Sequence, residues 1–445
     1  MSTVVAADLG PAVLPGAGAF DAPAPGPVGG VLPSVVDIAV VGGGCSGLGT
    51  AVRLADGRSD RSVLVLEGRA GDDARSWCSW DDGSDPVPEA RSASWSRWEV
   101  RTDRGTSTGT DPAHPYVLVR AADRRAAVER RLAGTSVVLV RGTPVSRVAV
   151  DGDAFAVATP HGGVRAGSVL DARGPRCPAT TPTGRVLLHQ RFVGQWIATD
   201  RPVFDPTTVT LMDFAEQDQA GAVRFVYVLP VSATRALVES TTFTADDADA
   251  FDHRAAVDRY VRRRWGLSPD EWRVEDEEDG CIPMTDVPPV ALTGAEDRRW
   301  HPVGDARDAT VVGTTRPSSG YGFARSNRHS ADVAAHLLAG TAVPALVDRR
   351  RTRFLDAVFL RFLRDRPEEA PEAFRRLFAL PGPLVVRFLS ERSSLADDLR
   401  IVLALQKRPF LRALLRTGTD AVRRARDRPV GGRRAEPRPS RRNRS

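Results

Sequence analysis

The stretch "RFVYVLPVSATRALVESTTF", Arg224 to Phe243, carries one acid, Glu239, directly after Ala-Leu-Val. A carboxyl set among Leu237, Val238 and Phe243 loses hydration, which disfavours its charged form and keeps its proton on near neutral pH. That is the chemistry of a general acid. The same residues leave a plain alternative open, a strand-end acid that faces water or pairs with Arg235. A second group is suited to phosphate. Gly42, Gly44 and Gly47 form G-x-G-x-x-G, and Glu67 follows about twenty residues on. In this pattern the first glycine permits a tight turn and the second lets backbone approach a pyrophosphate. The third allows close helix-to-strand packing, and the acid accepts from ribose hydroxyls. An acid at that last position disfavours a 2′-phosphate.

These groups need elements to hold them. "VVDIAVV" reads as a buried strand, the glycines turn it into an amphipathic helix from about Ser46 to Ala55, and "SVLVLEG" is a second buried strand ending at Glu67. This is the opening β-α-β of a parallel sheet. The segment from Ser76 to His114 is rich in Trp, Ser and Asp and reads as irregular, whereas "YVLVRAADRRAAVERRLAG" returns to strand and helix. A meander then leads back to the nucleotide-binding unit at Asp171, so that unit is interrupted. The Arg224–Phe243 stretch reads as two apolar strands around a Pro-containing turn. Further strands follow Gly184, and from about Ala331 the apolar spacing becomes helical. Glu277, Glu278 and Asp279, ahead of "GCIPM", read as a solvated turn.

The chain of 445 residues is 42% hydrophobic and 27% charged, which excludes wholesale disorder and a membrane-spanning protein. Its net charge of +6 is carried by arginine, with Lys407 the sole lysine, a bias of the kind a GC-rich coding sequence produces. No nucleic-acid partner is expected. The excess concentrates in an Arg-rich tail suited to remaining solvated or to meeting anionic lipid headgroups. Cys45, Cys78, Cys177 and Cys281 have no zinc or C-x-x-C spacing and read as reduced cytoplasmic thiols; seven scattered His give no metal constellation. The start of the chain lacks a basic n-region and is not read as a signal peptide. No apolar run approaches the roughly 18 residues of a spanning helix, so membrane contact is expected to be peripheral. The expected organisation is a disordered tail over 1–34, interleaved nucleotide- and substrate-binding domains over 35–345, a helical region over 346–420 and a disordered tail over 421–445.

In order along the chain stand "GGGCSG", "RSWCSW", "YVLVRAAD", "VLDARG", "QRFVGQW", "FDPTTVTLMDF", "RFVYVLPVSATRALVEST", "GCIPM" and "RPSSGYGFAR". Together with the helical "FLDAVFLRFLRDRPEEAPEAF" region they resemble the flavin-dependent lycopene cyclases, from about Val36 to about Leu415. Two departures from that pattern stand out. Ser79 replaces an aromatic, and Thr314 and Thr315 stand where the family shows a glycine pair.

The resemblance implies an α/β fold: an FAD-binding Rossmann-like domain of the glutathione-reductase type, interleaved with a β-sheet substrate domain and followed by helices. It implies a redox-neutral reaction on lycopene. An acid protonates C2 of the terminal double bond, a neighbouring double bond attacks the C1 cation, and proton loss from the new ring gives γ- and then β-carotene. Glu239 matches the family's essential acid. FAD, required reduced and primed by NAD(P)H, would be held by Gly42, Gly44, Gly47, Glu67, Arg120, Asp171 and Gly320, with either Gly304 and Asp305 or Gly313 at the flavin-facing turn. Phe225, Tyr227, Trp196 and Glu278 are the candidates for substrate contact; the aromatics could line a polyene channel, present π faces to a cation, or serve as ordinary core. The expected location is cytoplasmic, at the inner face of the cell membrane, with oligomeric state left open. Monooxygenases and prenyl reductases share such a scaffold and are the nearest rivals, followed by a silent carotenoid- or flavin-binding protein.

Overall fold

A strand buried on both faces belongs at the centre of a parallel sheet, and Val35–Val41, buried from Ile38 to Val41, is one. The computed structural model describes residues 32–58, 60–173, 181, 183–214, 221–246, 250–287, 310–311, 315–341, 343 and 348–426. Residues 1–31, Cys177, Gly304, Asp305, Gly313, Thr314 and the final Arg-rich residues 427–445 lie outside them.

The chain enters through β1 (Val35–Val41), α1 (Cys45–Asp56) and β2 (Val63–Leu66). It then leaves that sheet for β3 (Ser76–Trp80), β4 (Ala93–Trp95), β5 (Arg97–Thr102), β6 (Gly105–Thr110) and β7 (Tyr116–Arg120). Next, α2 (Ala121–Leu132) and β8 (Val137–Val140) return to it, and β9 (Arg147–Asp151), β10 (Ala154–Thr159) and β11 (Gly162–Asp171) extend it. A second sheet is built from β12 (Leu187–Thr199), β13 (Thr208–Asp213), β14 (Val223–Ser232), β15 (Arg235–Thr244) and, after α3 (His253–Trp265), β16 (Trp272–Thr285). Finally β17 (Thr310–Val311) rejoins the first sheet, and six helices follow: α4 (Phe323–Ala339), α5 (Arg350–Asp365), α6 (Ala370–Phe378), α7 (Gly382–Leu389), α8 (Leu395–Ala404) and α9 (Lys407–Arg426).

The first sheet runs β8-β2-β1-β11-β10-β9, with β17 also on β11; the second runs β16-β12-β15-β14-β13-β5-β6; and β3-β7-β4 form a small third sheet. Two crossings interleave the first two sheets. β5 pairs with β13 in parallel, and β11 returns beside β1 in parallel, Val41 opposite Asp171. One apolar core lies under α1, α2 and α4, and a second on the far face of the first sheet. The largest joins one face of the second sheet to the small sheet and to α5–α9. The opposite face of the second sheet packs Val226, Val228, Val238 and Ile197 against Val257, Tyr260 and Val261 of α3.

Five expectations are corrected. The segment Ser76–His114 holds four strands; β5 turns Trp98, Val100 and Thr102 inward and charged residues outward, so its apolar count is low although its alternation is regular. Pro230 lies within β14 and not in the turn, which falls at Ala233-Thr234. Proline has no N–H to give the ladder, and the register shifts between Pro230 and Ser232 while the Pro230 carbonyl accepts from Trp95 Nε1 at 3.0 Å. α3 interrupts the strand region, started by the Asp252 carboxylate accepting from Ala255 N–H and stopped by Gly266 at φ 63°. α4 begins at Phe323, ahead of Ala331.

The last correction bears on function. Glu277, Glu278 and Asp279 are not a turn but lie within the fourteen-residue strand β16. Alternation explains why so acidic a run tolerates a strand. Glu277 meets Arg254 and Gln195, whereas Glu278 turns to the other, buried face.

Candidate active site

Residues directly opposite each other on neighbouring strands share a face of the sheet. In the second sheet Tyr227 of β14 stands opposite Glu239 of β15, Glu239 opposite Gly194 of β12, and Gly194 opposite Glu278 of β16. One row across four strands therefore reads Tyr227, Glu239, Gly194, Glu278. Phe225 and Trp196, each two residues from the row, lie on the same face. Gly194 is the floor between the two acids: a Cβ there would meet Leu237 Cδ1 at 3.0 Å, Glu278 Cγ at 3.2 Å and Glu239 Cβ at 3.4 Å.

Glu239 is fully buried, and Thr241 Oγ1 donates to its Oε1 at 2.6 Å. Burial pushes its pKa up to about 7 against the opposing pull of that hydrogen bond. Arg235 pairs with Glu275 at 2.7 Å instead, so the water-facing and Arg235-paired alternatives are both gone. Glu278 is 2% exposed, and neither of its oxygens makes a hydrogen bond among the described residues. Burial, and then the charge of Glu239, raise its pKa well above the ordinary carboxyl value; Ser76, close by but outside hydrogen-bond geometry, and Arg120 pull the other way. Arg120 ends β7, pairs with Asp276 at 2.6 Å and stacks over Trp196 at 4.9 Å.

Tyrosines connect this row to the rest of the molecule. Tyr227 donates its hydroxyl to Tyr116 at 2.8 Å, and the Tyr116 and Tyr321 hydroxyls lie 3.4 Å apart. Trp80 meets Trp98, Tyr116 and Tyr321 edge-on, with centroids 4.9–5.6 Å away. Burial raises all three phenols well above their usual value, so this wall is neutral and presents π faces.

The glycine turn lies at the ends of β1 and β11. Gly42 has φ 105°, and a Cβ there would meet the Ala172 carbonyl group and Arg173 N at 3.0 Å; one at Gly47 would fall 2.0 Å from the Gly42 carbonyl oxygen. Gly44 faces open space. The first turn of α1 has neither side-chain cap nor acid, and Ser46 Oγ is buried with no partner among the described residues. The Glu67 carboxylate accepts from Gly43 N–H at 2.7 Å and Arg69 N–H at 2.8 Å, beside the turn. Bare N–H groups, an open glycine and an orphaned hydroxyl at one helix start fit a pyrophosphate. Asp171, opposite Val41, pairs with Arg173 at 2.8 Å.

Gly320, at φ 69°, ties the two regions together. A Cβ there would meet Gln190 Oε1 at 2.5 Å and Ile282 Cγ2 at 3.6 Å, both on the carboxyl-bearing face. The Arg316–Gly322 loop thus leads into α4, which packs on α1, while resting on the second sheet. Sequence reasoning missed Tyr116, Tyr321, Trp80 and Gly194. A glycine inside the apolar "QRFVGQW" was the one available signal, because glycine within a strand marks a close approach.

The lycopene cyclase protein family model matches residues 37–415. A lycopene beta-cyclase from a Paracoccus species is 30% identical over 388 residues, which cover 82% of this chain and 93% of the relative. Among solved structures, a geranylgeranyl bacteriochlorophyll reductase-like protein from Thermoplasma acidophilum superposes with a TM-score of 0.54 at 12% identity, over 85% of this chain and 98% of the other. A mutant of the halogenase PltM in complex with FAD gives 0.50 at 12% identity, over 89% and 93%. At such identities these structures show the fold alone. With nearly the whole described chain inside the family match and the relative covered almost end to end, the chain belongs to the lycopene cyclase family.

Proposed function

We infer that the chain is a lycopene β-cyclase, closing six-membered rings at the ends of lycopene to give γ- and then β-carotene. The observation that carries this is a fully buried carboxyl, Glu239, in mid-sheet on an aromatic face, with its pKa raised to about 7. An alkene is a weak base, so its protonation needs an acid kept neutral in a dry site. Phe225, Tyr227 and Trp196 exclude water around that proton and offer π density to the cation. Gly42, Gly44, Gly47 and Glu67 would hold FAD, with Gly320 carrying the adjoining loop. When bound and reduced by NAD(P)H, the anionic flavin supplies negative charge that favours the neutral acid and stabilises the cation without net turnover.

Incubation with lycopene-bearing liposomes, FAD and a reductant without oxygen should yield β-carotene, with far less than one reductant consumed per ring. A stoichiometric reductant demand or an oxygen requirement would point to the monooxygenase or reductase chemistry of the scaffold and sink the cyclase assignment.

The surface of the C-terminal helices supports peripheral membrane contact. No helix among the described residues is long and apolar enough to cross a membrane. Yet Leu395, Leu399, Val402 and Leu403 of α8 and Leu411, Leu414 and Leu415 of α9 are 39–73% exposed. Arg400, Lys407, Arg408, Arg412 and Arg416 are exposed beside them. Apolar rows flanked by cations suit the interface of an anionic bilayer. The triple change Leu399→Glu, Leu403→Glu and Leu415→Glu should abolish sedimentation with anionic liposomes while leaving flavin content unchanged; undiminished binding would refute this docking face.

A further inference from the structure

We propose that Glu278 is the second proton-transfer group of the ring closure, receiving the proton that leaves C6 while Glu239 supplies the one that enters at C2. The inference rests on the assignment of Glu239 as the acid. It stands on the cross-strand row: both carboxyls rise from strands flanking β12, on one face, over a residue with no side chain. A Cβ at Gly194 would crowd the stems of both, so the two acids close in over the one position of the row that has no side chain. A polyene end brought to that position would have a carboxyl to either hand.

Glu278 also lacks any structural employment. It is 2% exposed, its oxygens make no hydrogen bond among the described residues, and no cation pairs with it directly. A buried acid without such partners is costly to a fold, and a catalytic task accounts for it. Two like charges cannot share so dry a place, so at least one of the two carboxyls keeps its proton. The groups facing Glu278 decide where the remaining charge rests. Arg120, held by Asp276, lies on its side, with Asp73 opposing but itself tied to Arg69 and Arg75. Glu239 accepts from Thr241 and lies beside apolar side chains. Without substrate the charge of Glu239 raises Glu278; the working arrangement, with Glu239 as the neutral acid and Glu278 as the charged base, draws on Arg120 as the countercharge beside Glu278.

The step balances without a further reactant. The Glu239 O–H bond breaks and its proton takes the C1=C2 π pair, forming C2–H and a cation at C1. The C5=C6 π pair forms the C1–C6 bond and moves the cation to C5. The C6–H bond breaks, its electron pair restores C5=C6, and the proton goes to Glu278. The carboxyl pair ends with the proton it began with, on the opposite member, and the return of that proton to Glu239 resets the site.

The test is ring closure in D2O with the flavin-loaded protein, recovering both product and unreacted lycopene. With Glu278→Gln, protonation at C2 should continue but the ring should fail to lose its C6 proton. Ring product is expected to fall about 10²–10⁴-fold, and the cation to revert, leaving recovered lycopene labelled with deuterium at C2. Glu239→Gln should give neither ring nor label, so the two roles separate. A Glu278→Gln protein with wild-type flavin content that still makes β-carotene at the wild-type rate overturns the proposal, as does one that loses product without labelling lycopene. Cyclisation by Glu239→Gln would instead refute the acid and leave the Glu278 arm to be judged on its own label. Infrared titration of the buried carboxyl carbonyls gives a second readout that does not depend on turnover. Glu239→Gln should move the Glu278 midpoint to lower pH by removing a neighbouring charge, and an unmoved midpoint would show that the two carboxyls are not a pair.

Discussion

Glu239→Gln is expected to lower β-carotene formation about 10²–10⁴-fold, the range that removal of a general acid produces, with flavin content and secondary structure unchanged. The amide preserves shape and can still accept from Thr241, whose hydroxyl lies 2.6 Å from the carboxyl oxygen; what it lacks is an acidic proton. The same group sets the pH profile. Burial raises Glu239 from 4.5 to about 7, so between those values the acid is charged only in the unfolded chain, and activity should fall as pH rises through about 7. Stability follows the same sign. Between 4.5 and about 7 the folded protein keeps this proton while the unfolded chain releases it, so stability declines with rising pH by on the order of 3 kcal/mol across that window. Glu278, also raised, adds in the same direction. Glu239→Gln should therefore be catalytically crippled yet lose less stability than the wild type between pH 5 and pH 8, measured by denaturant midpoints. Equal pH dependence in the two proteins would show that the carboxyl does not hold its proton in the fold.

The second large effect is expected from Asp356→Ala. Asp356 of α5 is 1% exposed and Arg316 3% exposed. The guanidinium meets the carboxylate at 3.1 Å, donates to the Phe388 carbonyl at 2.5 Å and stacks over the Phe388 ring at 4.8 Å, and Ser318 Oγ donates to the carboxylate at 2.6 Å. This network fastens the loop that carries Gly320 and Tyr321 to the C-terminal helices. Truncating the acid leaves a buried guanidinium without its counter-charge, at a cost of about 3–5 kcal/mol. A lowered denaturant midpoint, with flavin lost ahead of global unfolding, is the expected result. Because burying an ion pair is itself costly, Arg316→Met combined with Asp356→Leu should recover much of the loss. A single Asp356→Ala that shifts the midpoint negligibly would show that solvent reaches the network.

The sequence made the nucleotide turn legible because its signal is local: three glycines lie between two strands of the same sheet and one acid follows the second, and β1, α1 and β2 form as their pattern indicates. Glu239 was legible as an acid in an apolar strand. Its surroundings were not, because they come from residues far away in the chain. Gly194, Tyr116 and Glu278 meet Glu239 only through β12, β7 and β16, and strand order is not written in any one segment. Glu278 was obscured further by its neighbours, since alternation sends Glu277 to Arg254 on the other face while an acidic run by composition resembles a turn. β5 and α3 were overlooked for a related reason: arginine and other charged residues dilute the apolar count on which periodicity depends.

The pairing of Tyr227, Glu239, Gly194 and Glu278 in one row has a consequence for how such a chain can change over generations. Side chains alternate along a strand, so losing or gaining a single residue in β12, β15 or β16 would turn that strand's contribution over to the α3 side. Substitution on these strands is a graded experiment, whereas insertion or deletion is all-or-none. Length variation among descendants should therefore accumulate in the connections and spare these three strands.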